Sequence, residues 1–514
     1  MQDLRRRAPL SWTDARKEAF GAGRPAKRER GDGAPAKSGP PGGCEAVGGA
    51  KRHHDPGRRR LGLQMDRRLR EGRCDRPSAL RSRFHSVGDD GRHGGSLPGR
   101  TETNGDEPPS SRPMTEAPLA GKSRFFLLML LTGIFLVNFL SRIVLAPLMP
   151  VIEQELHLDH AGAGSLFLLI AIGYSAGLLG SGFVSSRLTH RRTIVLAAVA
   201  CGSVFLLIAA SHNLWTIRLG LILLGASTGI YLPSGITTIT RSTLPIHWGK
   251  AIAVHELAPT LAYISAPLLV EGFLVFVPWR GVLALIGFAS VILGLTFLRF
   301  GAGGEFTGEA PSPVNVRLLF GKPAFWIMVV LFGLAIGSSV GIYSMMPLYL
   351  VAERGFERGM ANTLVGLSRV PVIAMALASG WISDRFGPKP TIAAVILFNG
   401  LTTILLGILP GRWVIPMMFL QPMLGVCFFP AGFTILSRIV PPGARNLSVS
   451  LTIFIANLIG GGFLPTLLGV FGDRGGFGAA FIFVGILMSL GVFLLPRLIV
   501  TDETLMTSCR HKGQ

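Results

Sequence analysis

Four ionisable side chains lie within long apolar stretches of this sequence: Arg142, His255, Glu256 and Arg369. An ionised group near the centre of a bilayer costs ~3 kcal/mol, so such side chains face protein rather than lipid. A guanidinium group binds a carboxylate through two parallel hydrogen bonds, and histidine changes its charge near neutral pH. We therefore predict that Arg142 and Arg369 bind an anionic ligand and that Glu256 and His255 couple an ion.

Each of these residues also has a structural interpretation. Arg142 would then pair with a backbone carbonyl or reach the exterior interface, and Glu256 would be a structural partner of His255. Five neutral polar residues at middle depth are further candidates for ligand contact, although such groups serve equally well as hydrogen-bonding groups between helices. These five are Asn138, Tyr174, Tyr343, Gln421 and Asn457.

Composition indicates which elements must position these side chains. Hydrophobic residues make up 49% of the 514 residues and charged residues 15%, whereas a soluble chain carries about 25% charge. Apolar runs of about 20 residues, the length of a membrane-spanning helix, recur after residue 113. We predict an all-α polytopic membrane protein with twelve transmembrane helices, at 125–150, 164–186, 193–211, 215–237, 250–273, 281–298, 324–350, 361–383, 391–410, 413–437, 447–470 and 478–496.

One polar linker, 299–323, divides the predicted spans into two sets of six. The expected domains are a first half at 124–298, a second half at 324–498 and a cytoplasmic tail at 499–514. If both termini are cytoplasmic, the interior loops hold twelve Lys and Arg residues and the exterior loops five. The positive-inside rule favours that orientation. We predict a multi-pass protein of the cell inner membrane with both termini in the cytoplasm.

Residues 1–123 are predicted to form a disordered basic extension. The first 113 residues hold 25 of the 50 Lys and Arg residues and are rich in Gly and Pro, a composition too poor in apolar side chains to fold. Three interpretations are open: an arm that binds nucleic acid or anionic lipid, a solvated tail, and a segment preceding the natural start. We favour the third, with Met114 as the start, and expect a chain that begins there to insert and function.

Prolines and glycines inside the spans predict irregular helices. Proline lacks an N–H group and kinks a helix, and a run of glycines weakens one. We expect kinks at Pro259, Pro267, Pro371, Pro422 and Pro465, and a break of the eleventh span at 460–462.

A charged motif follows the eighth predicted span. Gly380, Asp384, Arg385, Gly387 and Lys389 stand at the spacing G-x-x-x-D-R-x-G-x-K. This resembles the loop signature of the major facilitator superfamily, which occurs after the second span and again after the eighth. We expect Gly380 to let two helices approach closely and Gly387 to permit a tight turn.

A second copy of the motif stands after the second predicted span, in degraded form. Gly182, Arg187 and Arg191 match the pattern, whereas Ser186 replaces the acid and Thr189 replaces the second glycine. Copies at matching positions of two six-helix halves are similar to the superfamily's internal duplication. A salt bridge through the missing acid is therefore not expected in the first half.

Two further stretches resemble the anion:cation symporter branch of that superfamily. They are 138–142 in the first span and the glycine-rich 225–233 in the fourth. The resemblance implies a secondary transporter that exposes a central site to alternate sides of the membrane. We expect its solute to be an organic anion, because the predicted spans bury two arginines and one acid. The alternatives are a drug or metabolite antiporter and a transporter-like sensor that binds solute without carrying it.

Several functions are not expected from this sequence. It lacks the G-x-x-x-x-G-K-[ST] pattern of an ATP-binding loop, so transport would draw on an ion or solute gradient. The five cysteines show no CxxC spacing, and we predict no metal site, no cofactor and no enzymatic activity. The expected partners are a small anionic solute, the lipid bilayer and protons. We expect no nucleic acid partner and a monomeric protein.

Overall fold

Long apolar segments fold as helices in a membrane because every backbone N–H and C=O group must find a partner within the segment. The computed structural model describes residues 121–308, 313–440 and 445–498, and the predicted extension up to residue 120, Met114 and the C-terminal tail lie outside the described residues. Twelve helices in the described part are long and apolar enough to cross a membrane, which confirms the predicted spans. Spans 1 to 12 are Arg124–Leu156, His160–Arg187, His190–Ala210, Leu214–Ser242, Pro245–Leu274, Trp279–Phe300, Pro323–Ala352, Arg358–Phe386, Pro388–Ile408, Gly411–Arg438, Leu447–Asp473 and Phe477–Arg497.

Five spans are interrupted, and a proline explains the position of each interruption. In span 5 the first helical segment ends at His255, four residues before Pro259, and in span 8 it ends at Leu367, four residues before Pro371. Proline cannot donate a hydrogen bond, and its ring clashes with the carbonyl group four residues earlier. Glu256 and Arg369 consequently lie at helix interruptions. The same spacing occurs where segments end at Ile143, Gly229 and Val426, before Pro147, Pro233 and Pro430.

Three of the prolines that were expected to kink their spans do not interrupt them in this way. Pro267 and Pro422 lie inside continuous helical segments, and Pro465 follows the π-helix Leu458–Phe463 in span 11. That π-helix contains the run of three glycines and packs against a second π-helix, Gly337–Gly341, in span 7. The glycine run therefore widens the helix, and the expected break is wrong.

The two halves pack differently at their two ends. At the end that carries the loop between spans 1 and 2, which we call the closed end, one apolar cluster includes Met149 of span 1, Leu348 of span 7 and Leu468 of span 11. At the opposite end, which we call the split end, the buried apolar residues of each half form a cluster of their own. The cluster whose buried residues come from both halves is therefore the one at the closed end, and Leu179 of span 2 is a partly buried residue packed against the second-half cluster.

Polar contacts also join the halves at the closed end. Glu271 of span 5 pairs with Arg358 Nε at 3.2 Å and accepts a hydrogen bond from Asn362 Nδ2 at 2.6 Å, both from span 8. The carboxylate of Asp473 in span 11 accepts the first two backbone N–H groups of span 2, at 2.8 and 2.9 Å. A helix N-terminus favours a carboxylate at this position.

Candidate functional site

Arg142 lies in span 1 between the two halves. Its guanidinium group stacks over the ring of Tyr174 at 3.6 Å and lies 5.2 Å from the ring centre of Phe139. Nη2 donates to Asn457 Oδ1 of span 11 at 3.2 Å, so the side chain connects the first half to the second. Asn457 Nδ2 is buried and has no hydrogen-bond partner. A free donor and a cation are therefore adjacent.

A central cavity adjoins this arginine. It holds about 10 Å³ of space open to a water molecule and is bounded by spans 1 and 2 on one side and spans 7 and 11 on the other. A ligand in it would touch both halves. The lining residues are Arg142, Phe167, Ile170, Ala171, Val340, Ser344, Asn457 and Gly461.

Arg369 is buried at the interruption of span 8, with 6% of its surface exposed. Its guanidinium carbon lies 4.5 Å from the ring centre of Tyr263 in span 5 and 5.0 Å from that of Tyr343 in span 7. Nη2 donates to the carbonyl of Ser339 at 3.3 Å, and Nε has no hydrogen-bond partner. This cation is held by aromatic faces and a carbonyl group, and its donors are incompletely used.

Aromatic rings connect the two arginines. Phe139, which lies beside Arg142, meets Tyr263 edge-on with 5.2 Å between ring centres. Tyr263 in turn meets Tyr343 at 4.7 Å, and the hydroxyl of Tyr343 donates to the carbonyl of Tyr263 at 3.4 Å. No ion pair of either arginine is found among the described residues. Burying a cation without a counter-charge is costly, so both arginines are candidates for ligand contact.

Two other predicted ligand contacts have partners within one half of the protein. Asn138 Nδ2 donates to the carbonyl of Thr228 at 3.2 Å. Gln421 Nε2 donates to Ser338 Oγ at 2.6 Å and lies 3.2 Å from Asn399 Oδ1. Like Arg369, Asn138 and Gln421 do not line the central cavity. Their hydrogen bonds join neighbouring helices, which was the alternative interpretation for such residues.

His255 and Glu256 lie in the first half, toward the split end from Tyr263. The imidazole of His255 is fully buried, whereas the side chain of Glu256 is 46% exposed. His255 Nε2 lies 3.1 Å from the hydroxyl of Tyr231, and Glu256 Oε1 lies 3.5 Å from His255 Nδ1. Glu256 stands two helical turns before Tyr263 and so on the same side of span 5. The pair is therefore near the central site but outside it.

The second-half motif is exposed at the split end. Asp384 and Arg385 are exposed, and neither forms an ion pair within the part of the chain that the structure describes. Lys389 Nζ donates to the carbonyl of Leu498. Gly387 has a φ of 86°, as the expected tight turn requires. A side chain at Gly380 would meet no atom within 4 Å, so the expectation that this glycine allows close helix packing is wrong.

The first-half motif contacts the linker between the halves. Arg191 pairs with Glu305, and its backbone N–H donates to the carbonyl of Gly304 at 2.8 Å. Thr189 forms an antiparallel bridge with Thr307. The linker thus supplies a carboxylate to a loop whose own motif lacks one. The other two motif residues, Gly182 and Arg187, are half-buried and exposed near the end of span 2.

Sequence reasoning missed the tyrosines that complete the site, Tyr263 and Tyr231. A signal for them was present, because all five tyrosines of the chain stand within predicted spans. Tyrosine in membrane proteins is enriched at the two interfaces, where its hydroxyl meets water. Every one of the five is instead buried, so each hydroxyl needs an interior partner. The five are Tyr174, Tyr231, Tyr263, Tyr343 and Tyr349.

Two six-helix halves around a central cavity, joined at one end, define a polytopic solute transporter. The sequence profile of the Major Facilitator Superfamily matches residues 131–423 and 344–513. The chain belongs to that superfamily, and it is a secondary transporter and not an enzyme. Among solved structures, a D-xylose-proton symporter superposes with a TM-score of 0.62 at 15% identity, covering 73% of this chain and 98% of that one. A bacterial homologue of the human lysosomal transporter Spinster, inward-facing and occupied, gives 0.62 at 16% identity, covering 74% and 98%.

Curated relatives carry several kinds of solute. The galactose-proton symporter of Escherichia coli is 22% identical over 422 residues, 72% of this chain and 89% of that protein. A probable sulfoacetate transporter of Cupriavidus necator is 28% identical over 180 residues, 34% of this chain and 41% of the relative. A gallate transporter of Pseudomonas putida is 23% identical over 303 residues, 51% and 66%. The match to the sulfoacetate transporter thus spans less than half of that protein's length.

Proposed function

We propose that this protein carries a small organic anion across the inner membrane by alternating access. The observation that supports it is the pair of arginines, one in each half, whose described contacts are aromatic rings, an amide and a carbonyl group rather than carboxylates. A carboxylate or sulfonate would supply the missing charge through paired hydrogen bonds. Two of the relatives are transporters of sulfoacetate and gallate by name, which fits an anionic solute.

The packing of the halves supports alternating access. They share a core and an ion pair at the closed end and have separate cores at the split end. A ligand that touches spans 1 and 11 would draw the halves together at the split end while the closed end opens. With cytoplasmic termini, as the loop charges predict, the split end faces the cytoplasm and the protein stands in an inward-facing state.

Glu256 and His255 of the first half favour protons as the coupling ion. Glu256 and His255 lie next to each other, and the side chain of Glu256 is 46% exposed. A carboxylate that binds a proton before the anion moves would couple the two fluxes. The alternatives are a drug or metabolite antiporter and a sensor that binds solute without carrying it.

A ligand screen followed by flux tests the proposed solute class. The purified full-length protein is heated with organic acids, sulfonates, sugars, amino acids and cationic drugs, because a ligand that binds the folded state raises its melting temperature. The hits are then tested for counterflow exchange in liposomes. We expect stabilisation and exchange by carboxylates or sulfonates. Stabilisation by cations alone would contradict an anion carrier, and binding without exchange would indicate a sensor.

The coupling proposal is tested by Glu256→Gln, which keeps the size of the side chain and removes its charge. We expect counterflow exchange to persist and accumulation driven by a pH gradient to be lost. Glu357→Gln is the matched control, because backbone N–H groups of Gly359 and Met360 hold the pKa of this exposed carboxyl below its usual range. Unchanged uphill uptake in Glu256→Gln would remove this residue from the mechanism.

A further inference from the structure

The imidazole of His255 is held on all sides within the first half. It is fully buried and stacks on the ring of Phe135 in span 1, with ring centres 4.4 Å apart and planes 3° apart. Nε2 lies 3.1 Å from the hydroxyl of Tyr231. Tyr231 stands two residues after Gly229, where the first helical segment of span 4 ends. These contacts fix where both ring nitrogens point.

The hydroxyl of Tyr231 determines which ring nitrogen carries the proton. It lies 2.8 Å from the carbonyl of Leu131, and a carbonyl oxygen accepts hydrogen bonds but cannot donate one. The tyrosine hydrogen is therefore used toward Leu131, and Tyr231 can only accept from His255. Nε2 of His255 must then be the donor, which leaves the lone pair of a neutral ring on Nδ1.

This lone pair faces an acidic side chain. His255 Nδ1 has no hydrogen-bond partner and lies 3.5 Å from Glu256 Oε1. When Glu256 is ionised, both atoms are acceptors and no hydrogen bond forms between them. One proton placed between them satisfies both. From the other packed elements the ring meets Phe135 of span 1 and Tyr231 of span 4, so Glu256 is the acid that faces it among the described contacts.

We propose that His255 Nδ1 and Glu256 Oε1 bind one proton jointly, and that Tyr231 is the positioning residue that keeps Nδ1 free to receive it. The inference rests on the proposed proton coupling and identifies the atoms involved. The proton would enter through the exposed side of Glu256, which stands at the helix interruption before Pro259.

The proton site is connected to the anion site along one face of span 1. Phe135, which stacks on His255, lies one turn before Phe139, with 6.4 Å between ring centres. Phe139 in turn contacts Arg142 and Tyr263. A shift of the imidazole on taking up a proton would therefore reach the anion site through three successive side chains on one helix face.

Tyr231→Phe tests the positioning role, because it keeps the ring and removes the hydroxyl. Without an acceptor at Nε2, the neutral imidazole can place its hydrogen on Nδ1 and donate it permanently to Glu256. The pair then takes up no proton from solution. In liposomes we expect counterflow exchange to persist, proton-driven accumulation to be lost, and the affinity for the anion to become independent of pH. Tyr349→Phe is the matched control, since its buried hydroxyl donates to Leu406 in the other half.

The outcomes separate this inference from the coupling it rests on. Wild-type accumulation in Tyr231→Phe, together with loss in Glu256→Gln, overturns the role of Tyr231 and leaves the coupling standing. Wild-type accumulation in both variants overturns both. If Tyr231→Phe does not fold, ¹⁵N NMR of histidine-labelled wild-type protein decides, with the His255 signals identified by their absence in His255→Gln. Hydrogen on Nε2 at high pH supports the inference, and hydrogen on Nδ1 overturns it.

Discussion

Two buried polar regions at middle depth differ in how completely their hydrogen bonds are satisfied. In the second half, Ser338, Asn399 and Gln421 bond to one another at 2.6 to 3.2 Å through their side chains. Between the halves, Arg369 Nε and Asn457 Nδ2 have no partner. Native proteins leave few buried polar groups unsatisfied. The complete network therefore holds helices together, and the incomplete region is where a ligand is expected.

Span 7 contributes residues to both regions. Ser338 belongs to the amide network, while the carbonyl of the next residue, Ser339, accepts from Arg369. Both lie in the π-helix Gly337–Gly341, where the wider turn offers backbone carbonyls to side chains. Ser338 therefore bonds within the packed second half, whereas the adjacent Ser339 contacts the proposed ligand site.

The largest expected effect comes from Arg369→Ala. Removing a buried cation that lacks a protein counter-charge should abolish anion transport, while the protein still reaches the membrane. Arg369→Lys keeps the charge but not the planar fork, so binding should weaken without being lost. Uptake and counterflow in liposomes measure both, with the exposed Arg412→Ala as control. Normal transport by Arg369→Ala would break the comparison, because the least satisfied group would then have no role in binding.

A smaller effect is expected from Asn457→Leu, which keeps the volume and removes both polar atoms. Arg142 would lose its amide partner, and a bound anion would lose a donor. A lost hydrogen bond to a charged group corresponds to about a tenfold increase in the dissociation constant. Ligand-dependent melting shifts and the KM of uptake measure it. An unchanged affinity would mean that Asn457 Nδ2 is merely unsatisfied and does not face the solute.

The smallest effect on transport is expected from Gln421→Leu. Its loss leaves Ser338 and Asn399 with unused hydrogen-bonding groups, so the free energy of unfolding should fall by about 1–3 kcal/mol. The KM of uptake should differ from that of the wild type by no more than about twofold. A tenfold change corresponds to about 1.4 kcal/mol, so this difference is less than half of that free energy. Thermal unfolding in detergent measures the loss of stability, and uptake at several solute concentrations measures the KM. A rise in KM as large as that of Asn457→Leu would return Gln421 to the ligand site.

Much of the site could be located from the sequence but not assembled. Arg142 and Asn457 stood out as polar groups in apolar runs, and the structure brings them within hydrogen-bonding distance across the two halves. Gln421 stood out on the same grounds and lies in the amide network instead. Hydropathy reports depth along a helix, and it does not report the rotation of that helix toward its neighbours. Depth alone therefore could not separate these residues.

By itself, the sequence determined the twelve spans and two of the five places where a helix is interrupted. Apolar length fixes a span, and Pro259 and Pro371 explain the interruptions at Glu256 and Arg369, whereas Pro267 and Pro422 leave their helices continuous. These are local consequences of covalent structure and transfer free energy.

Tertiary structure alone decided which polar atoms meet and which stay unused. Tyr263 acquired its place between Arg369 and Phe139, and Tyr231 its place at His255 Nε2, through contacts between helices that are far apart in the chain. Hydrogen bonds and ring contacts depend on distances of a few ångströms and on direction. Packing sets those distances through helix rotation and crossing, which is why the unsatisfied groups of the site were visible only once the halves were assembled.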